Sequence, residues 1–172
     1  MRIALVSDTH LPRFGRALPR ALVDGLRDTR VELILHAGDW TEPMAVPLFE
    51  AVATVDGVAG NNDGDALRAR FGTRRLLELD GFTVGITHGH LGYGPTTLDR
   101  ARSQFADQRP DVLVYGHSHR PHIERSASGT WLLNPGSPTD KRTQAHYTWI
   151  LLELIAGAEP VPHLVAYDDR SP

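Results

Sequence analysis

The segment Asp111-Val112-Leu113-Val114-Tyr115-Gly116-His117-Ser118-His119 joins a short apolar run to a turn that carries two histidines. The apolar part is typical of a buried strand, and the turn follows where that strand would end. Alternate side chains of an extended segment share a face, so His117 and His119 could bind one metal ion. Taken alone, the two histidines could equally lie on a surface loop. The rest of the chain decides between these alternatives.

The composition limits the possible classes of protein. The chain has 172 residues, enough to bury a sizeable core, and we predict a single domain over residues 1–172. Cys is absent, which excludes disulfides and thiolate metal sites, so any metal ligands must be nitrogen or oxygen atoms. The formal net charge of −3 gives no electrostatic basis for non-specific binding of a nucleic acid duplex.

The sequence also bears on location. No uninterrupted apolar run is long enough to span a bilayer, so we expect no membrane partner. An apolar strand follows the first residues directly and leaves no room for a signal peptide. We therefore expect a cytoplasmic protein.

Strands and helices are predicted to alternate in the first part of the chain. An apolar strand at 3–6 is followed by an amphipathic helix at 16–29 and a second strand at 31–35. A helix at 43–53 and a weaker strand at 54–59 come next. Right-handed crossovers would place the first two strands side by side and parallel, which would bring their polar ends together.

The second part is predicted to be richer in strands. The predicted strands there are 74–79, 82–87, 111–115, 122–124, 130–133, 147–155 and 161–167. Asp80-Gly81 predicts a hairpin between the first two, and the last two are expected to be antiparallel. One helix is predicted at 96–108. The combination favours a mixed α/β domain with helices packed on the faces of a sheet.

Polar residues with the chemistry of metal ligands recur at the ends of five predicted strands. They are Asp8, His10, Asp39, Asn61, His88, His117 and His119. Ligands of open α/β sheets bind at the carboxyl ends of strands. Seven donors are more than one tetrahedral ion needs, but they suit two adjacent ions that share a carboxylate. Any one of these turns could be an ordinary surface turn, but their recurrence at five strand ends favours a metal site.

The same turns resemble the motifs of the calcineurin-like metallophosphoesterase superfamily. In chain order these are Asp8-Thr9-His10, Gly38-Asp39, Gly60-Asn61-Asn62-Asp63, Thr87-His88-Gly89-His90 and Gly116-His117-Ser118-His119. The short chain and the turn Asn134-Pro135-Gly136-Ser137 resemble the small bacterial and archaeal phosphodiesterase branch, which has a retromer subunit as its eukaryotic relative. The resemblance implies an α/β fold, a four-layer α/β/β/α sandwich of two mixed sheets flanked by helices.

The resemblance also implies a role for each predicted ligand. One metal ion would be bound by Asp8, His10 and His119, the other by Asn61, His88 and His117, and Asp39 would bridge them. The carbonyl oxygen of Asn61 could coordinate while its amide points at a phosphate. The resemblance favours two manganese ions, and nitrogen and oxygen ligands are also compatible with iron, nickel, cobalt or zinc.

The implied function is that of a metal-dependent phosphodiesterase, in which a metal-activated water hydrolyses a small or nucleotide-like phosphate ester. A non-catalytic interaction scaffold of the same fold and a phosphomonoesterase are the alternatives. Many superfamily phosphatases have His after the motif Asn, whereas this chain has Asn62, which cannot act as a general acid. Good leaving groups should therefore be hydrolysed best. His90 is a candidate to assist the leaving group, unless it only supports a neighbouring ligand.

Several questions stay open at the level of sequence. We predict that His36 is structural, because alternate residues of its strand face away from the site. Asp63 is expected to tie down its own turn or to orient Asn61. The turn 134–137 could offer backbone N–H groups to the site or be only a tight turn. The sequence does not identify the substrate or the native metal, and a homo-oligomer is possible.

Overall fold

The computed structural model describes residues 1–172 and contains two mixed five-stranded sheets with four helices. The strands are β1 (Arg2–Val6), β2 (Leu33–His36), β3 (Thr54–Gly57), β4 (Arg74–Leu79), β5 (Phe82–Thr87), β6 (Val112–Val114), β7 (His122–Arg125), β8 (Trp131–Asn134), β9 (Tyr147–Glu153) and β10 (Val161–Tyr167). The helices are α1 (Arg20–Asp28), α2 (Ala45–Glu50), α3 (Asp65–Phe71) and α4 (Thr97–Ser103). None of them is both long and apolar enough to cross a lipid bilayer.

The strand order separates the chain into two sheets. The first sheet has the order β10-β9-β1-β2-β3. In it β1, β2 and β3 are parallel to one another, β9 is antiparallel to β1, and β10 is antiparallel to β9. The second has the order β4-β5-β6-β8-β7, with β5, β6 and β8 parallel between two antiparallel edge strands. Each of the parallel strands is followed, at its carboxyl end, by a turn with predicted metal ligands or, for β8, by the segment 134–137.

β1 shows why the sheets pack in layers. Its residues are apolar on both faces, as is typical of a strand buried on both sides. Ala4 and Val6 face a core that α1, α2 and α3 cover, whereas Ile3 and Leu5 face a second core between the two sheets. A third cluster lies between α4 and the outer face of the second sheet. The resulting α/β/β/α sandwich confirms the predicted fold class.

The predicted elements largely match the structure. The hairpin around Asp80-Gly81 forms, β1 and β2 are parallel neighbours, and β9 pairs with β10 antiparallel. α1 begins at Arg20 rather than at 16, because Pro19 occupies the residue before its first turn in an extended conformation. α2 and α4 are also shorter than predicted. After α4 the chain turns, which brings Phe105 into the core.

The prediction missed α3 entirely. This helix has seven residues and only two that are buried, Leu67 and Phe71. Such a short segment carries little periodic signal and would not be stable alone. Phe71 stacks on Trp40 with ring centroids 5.0 Å apart. Packing against a residue that is distant in sequence therefore stabilises the helix, which local patterns do not reveal.

The capping box of α4 provides a test of the fold. The Thr96 side chain accepts a hydrogen bond from the Asp99 amide at 3.1 Å, and the Asp99 carboxylate accepts one from the Thr96 amide at 3.2 Å. We expect Thr96→Ala to lower the free energy of unfolding by about 1 kcal/mol in urea denaturation. Thr143→Ala, in an exposed turn, should change it by less than about 0.5 kcal/mol. Equal stabilities of the two variants would contradict the capping role.

Candidate metal centre

Four turns that are far apart in the sequence meet at one end of the two sheets. They follow β1, β2, β5 and β6 at the carboxyl ends of these strands. The amide of Asp8 donates to the carbonyl of Gly38 at 2.9 Å, and the amide of Gly116 donates to the carbonyl of His88 at 3.2 Å. The amide of His117 donates to Asp8 Oδ2 at 3.0 Å and so joins the second sheet to the first. The backbone thus holds the four turns together.

Two groups of buried donors with the spacing of metal ligands lie here. Asp8, His10 and His119 form one group and Asp8, Asp39 and His88 the other; within each group the donor atoms lie within 4.8 Å of one another. Asp8 Oδ1 is 3.3 Å from His119 Nε2 and 4.0 Å from His88 Nε2. Asp39 Oδ2 is 3.3 Å from His88 Nε2 and 3.7 Å from His10 Nε2. Each carboxylate therefore faces histidines of both groups.

The hydrogen bonds of two histidines fix which ring nitrogen faces the carboxylates. His88 Nδ1 is 2.7 Å from the carbonyl of Ala37, and His119 Nδ1 is 2.6 Å from the carbonyl of Asp140. A carbonyl oxygen only accepts hydrogen bonds, so Nδ1 carries the hydrogen in both rings. The Nε2 atom of each ring is then the one that faces the carboxylates and can offer a lone pair to a metal ion. This is the orientation found in histidines that bind metal through Nε2.

Unpaired atoms show that a divalent cation fits between these groups. Asp8 Oδ1 and His88 Nε2 are buried and make no hydrogen bond. A buried polar atom without a partner is costly, and a lone pair that faces a carboxylate is repelled by it. A cation between the two carboxylates and the Nε2 atoms would remove both penalties.

Burial and the close approach of the carboxylates to the histidines shift the pKa values of His88, Asp39 and His10. Burial lowers the pKa of His88, but the carboxylates of Asp39 and Asp8 outweigh burial and raise it to about 9. Burial would raise the pKa of Asp39, yet His88 and hydrogen bonds from Asn62 hold it well below its usual range. For His10, burial outweighs the two carboxylates and lowers the pKa. Without metal, a proton on His88 provides the positive charge that the carboxylates require.

Five of the seven predicted ligands have strained backbones. Asp8, His10, Asp39, His117 and His119 have φ between +47° and +69°, in the left-handed region that few residues other than glycine adopt. Such conformations cost of order 1–3 kcal/mol each and are found mainly at functional sites. All five residues lie within three short turns, and this concentration supports a functional origin for the turns.

Glycine is required where two of the turns touch. Gly38 has a φ of +93°, and a Cβ atom there would lie 2.8 Å from both the Gly60 nitrogen and His88 Nδ1. A Cβ atom at Gly60 would overlap the Asp39 carboxylate. The glycines of these motifs therefore permit the close approach that places Asp39 beside His88.

Asp63 lies beneath the centre and confirms its predicted structural role. Its carboxylate accepts hydrogen bonds from the amides of Gly60 at 2.7 Å, Asp39 at 2.9 Å and Thr41 at 2.7 Å. Burial raises its pKa despite these bonds. The bonds to Asp39 and Thr41 were not foreseen from the sequence, since they join the turn after β3 to the turn after β2.

The two asparagines of the third motif differ in their contacts. Asn61 is exposed, and its side chain makes no hydrogen bond. Asn62 donates to Asp39 twice, from its amide nitrogen to Oδ1 at 2.9 Å and from Nδ2 to Oδ2 at 2.6 Å. The structure thus gives Asn62 a contact with a central carboxylate that the sequence did not indicate. The metal-binding role of Asn61 stays a prediction.

His117 and His90 lie beside His88 at the half-buried rim of the centre. The ring centroid of His88 is 5.1 Å from that of His117 and 5.3 Å from that of His90. His90 Nδ1 is buried and has no hydrogen-bond partner. Burial, His88 and His117 together lower the pKa of His90 to about 4. Neither ring belongs to the two donor groups, so metal binding by His117 and assistance of the leaving group by His90 stay predictions.

The segment 134–140 supports the site through hydrogen bonds of its side chains. Asn134 Nδ2 donates to the carbonyl of Gly116 at 2.9 Å, and Ser137 Oγ donates to the carbonyl of Asp8 at 2.8 Å. Thr139 Oγ1 donates to the carbonyl of Thr9 at 2.6 Å. These residues support the first and last motifs, and the sequence hinted at this role only because Asn134 and Ser137 belong to the predicted turn 134–137.

His36 confirms the prediction that it is structural. Its Nδ1 accepts a hydrogen bond from the Gly38 amide at 3.1 Å, and its Nε2 is 3.1 Å from Thr9 Oγ1. The ring also stacks on Trp40, with centroids 3.6 Å apart. Both ring nitrogens are thus occupied, and burial holds the pKa of His36 well below its usual range.

Comparison with known proteins identifies the family. The profile of the calcineurin-like phosphoesterase superfamily domain matches residues 1–157. A probable metallophosphoesterase of Methanothermobacter thermautotrophicus is 40% identical over 146 residues, which cover 83% of this chain and 80% of that protein. A phosphodiesterase of Methanocaldococcus jannaschii is 28% identical over 150 residues, which cover 79% of this chain and 83% of that protein.

A solved structure supports the same fold. Wild-type Vps29 of Entamoeba histolytica, complexed with zinc, aligns with a TM-score of 0.73 and 22% identity and covers 96% of this chain and 99% of that chain. The family match over residues 1–157 confirms the resemblance seen in the sequence motifs. The chain belongs to the calcineurin-like phosphoesterase superfamily, a family of metallophosphoesterases.

Proposed function

We propose that this chain is a phosphodiesterase that hydrolyses a small or nucleotide-like phosphate ester with two divalent metal ions. The observation that carries the proposal is the pair of buried donor groups that share Asp8. The similarity to the phosphodiesterase of Methanocaldococcus jannaschii supports a diester rather than a monoester substrate. A scaffold that does not bind metal would gain nothing from two buried carboxylates that face histidine lone pairs.

The proposed ligand set keeps the roles implied by the sequence. Asp8, His10 and His119 would bind one ion, Asn61, His88 and His117 the other, and Asp39 would bridge them. The distances from Asp39 Oδ2 to His88 and His10 support the bridging role. Asp8 Oδ1 also lies 4.0 Å from His88 Nε2, so its charge acts on both ions. Manganese is the ion proposed for assays, and zinc deserves testing because it is bound in the Vps29 structure.

The chemistry requires positive charge and a nucleophilic water. When bound, two divalent ions stabilise the charge on the phosphoryl oxygens and lower the pKa of the attacking water. Asn62 orients Asp39 through two hydrogen bonds. Asn61 is exposed and His117 is half-buried, so both are accessible from solvent.

His90 can donate a hydrogen bond to the leaving group but is not expected to act as a general acid. With a pKa of about 4 its ring is neutral at pH 7, so it has no extra proton to give to the leaving group. A neutral imidazole can still donate one N–H hydrogen bond to the leaving oxygen. The leaving group would therefore depart largely as an anion, which agrees with the absence of a general acid at Asn62.

The central carboxylates provide the first test of this function. We expect activity on bis(p-nitrophenyl) phosphate to vanish with chelator, to return with manganese, and to exceed activity on p-nitrophenyl phosphate. Asp8→Asn and Asp39→Asn should each lower kcat/KM by more than about 100-fold, beyond the usual cost of losing a residue that only supports a ligand. Asp28→Asn, on the exposed side of α1, is the matched control and should keep full activity. Chelator-insensitive hydrolysis would refute the proposal, and inactivity with every divalent ion would favour the scaffold.

Asn62 provides a second test, with metal binding as the readout. Asn62→Ala removes the side-chain hydrogen bond to Asp39 but leaves the backbone one. We expect it to weaken manganese binding by about 10- to 100-fold in calorimetric titration, because the carboxylate loses its fixed orientation. Gln108→Ala, an exposed polar residue, should bind as the wild type does. Unchanged affinity in Asn62→Ala would show that Asp39 needs no such support.

The leaving group provides a third test. Along a series of ethyl aryl phosphates, kcat/KM of the wild type should fall steeply as the pKa of the phenol rises, because no general acid protonates the leaving oxygen. Asn62→His should flatten this dependence by supplying a proton. Asn62→Ala should keep the steep slope even if its overall rate is lower. A flat wild-type profile would mean that another residue already acts as the acid.

A further inference from the structure

A cavity of about 410 Å³ opens on the second sheet, away from the metal centre. Its walls are the turn between α4 and β6 on one side and the turn between β7 and β8 on the other. It lies on the amino-terminal side of β6, whereas the metal turns follow the carboxyl end of that strand. Its volume falls in the range of about 300–1,000 Å³ that is usual for small-molecule sites.

The floor of the cavity is apolar and rigidly held. It consists of Phe105, Leu113 and Leu132, all buried in the core beneath α4. The two walls are tied together, since Thr130 Oγ1 donates to the carbonyl of Pro110 at 2.9 Å and the amide of Trp131 donates to the carbonyl of Asp111 at 2.8 Å. The cavity is therefore formed before any ligand arrives, which reduces the entropy lost on binding.

The positive charge at the rim of the cavity favours a negatively charged ligand. Arg102 and Arg109 line the cavity, and no lining residue is acidic. Neither arginine forms an ion pair, although seven ion pairs elsewhere in the chain involve arginine. Asp99, one turn before Arg102, is held by the capping box of Thr96. The rim thus has two positive charges without an ion pair, on a chain whose formal net charge is −3.

We infer that this cavity binds a small amphipathic carboxylate. Its ring or short acyl chain would cover the apolar floor, and its carboxylate would lie between the guanidinium groups of Arg102 and Arg109. Guanidinium groups bind carboxylates through paired, charge-assisted hydrogen bonds. Ser126 and Ser128, whose hydroxyl oxygens are 2.9 Å apart at the rim, offer further hydroxyl groups. The inference does not depend on the metal centre or on the proposed phosphodiesterase activity.

Three probes with the same chain length test the inference on the full protein without added metal. Octanoate, octanol and octylammonium are titrated into the ¹⁵N-labelled chain and followed by NMR. We expect octanoate to shift the amides lining the cavity and to bind with a Kd more than about tenfold below that of octylammonium. Shifts from octanoate at the histidine turns, or equal Kd values for the two charged probes, would overturn the inference.

Two variants test separately how the arginine charges and the apolar cavity contribute to binding. Arg102→Gln combined with Arg109→Gln should raise the Kd of octanoate by more than about tenfold and leave octanol unchanged. Ala106→Trp fills the cavity from an exposed wall residue and should weaken both probes. Arg27→Gln, on the exposed face of α1, is the control and should bind octanoate as the wild type does. Undiminished octanoate binding in the double arginine variant would refute the assigned carboxylate contact.

Discussion

Two carboxylates, Asp8 and Asp39, are buried side by side among histidines, and this concentration of negative charge governs the rest of the structure. Burying one unpaired carboxylate is already costly, and two in contact repel each other. Hydrogen bonds from Nδ1 of His88 and His119 to backbone carbonyls leave the Nε2 atom of each ring as the one that faces the carboxylates. Positive charge must come from a proton or from a metal ion. The arrangement is therefore best understood as one built to hold cations.

The backbone must be held by the remainder of the fold to keep these groups in place. Five predicted ligands have left-handed φ values, and at about 1 kcal/mol or more each the strain is comparable to the whole stability of many domains. The turns could not maintain this geometry alone. Each follows a strand whose other residues lie in a close-packed core, and Ser137 and Thr139 hold the first turn from a distant part of the chain. Bound metal would add stability, because it binds only the folded arrangement.

The strands and their polar ends were predictable because both are local features of the sequence. An apolar run followed by Asp, Asn or His, repeated five times, indicates parallel strands whose ends meet. Contacts between distant segments were not predictable. α3 depends on Phe71 stacking against Trp40. Asp63 accepts an amide hydrogen bond from Asp39 of another turn, in addition to the one from Gly60 of its own turn. Likewise, the sequence distinguishes Asn61 from Asn62 only by position, whereas the structure shows that Asn62 contacts Asp39.

The contact between Asn62 and Asp39 also explains how the chain can lack a histidine at that position. An amide side chain next to its own backbone N–H donates to both oxygens of one carboxylate, and so fixes the plane of that carboxylate. A histidine at this position would keep the backbone hydrogen bond to Asp39 Oδ1 but would lack the amide group that donates to Oδ2. In the proposed diesterase, orientation of the bridging carboxylate takes precedence over protonation of the leaving oxygen. Such a site suits esters whose leaving group is stable as an anion, because the stabilisation it offers acts on the phosphoryl group and not on the departing oxygen.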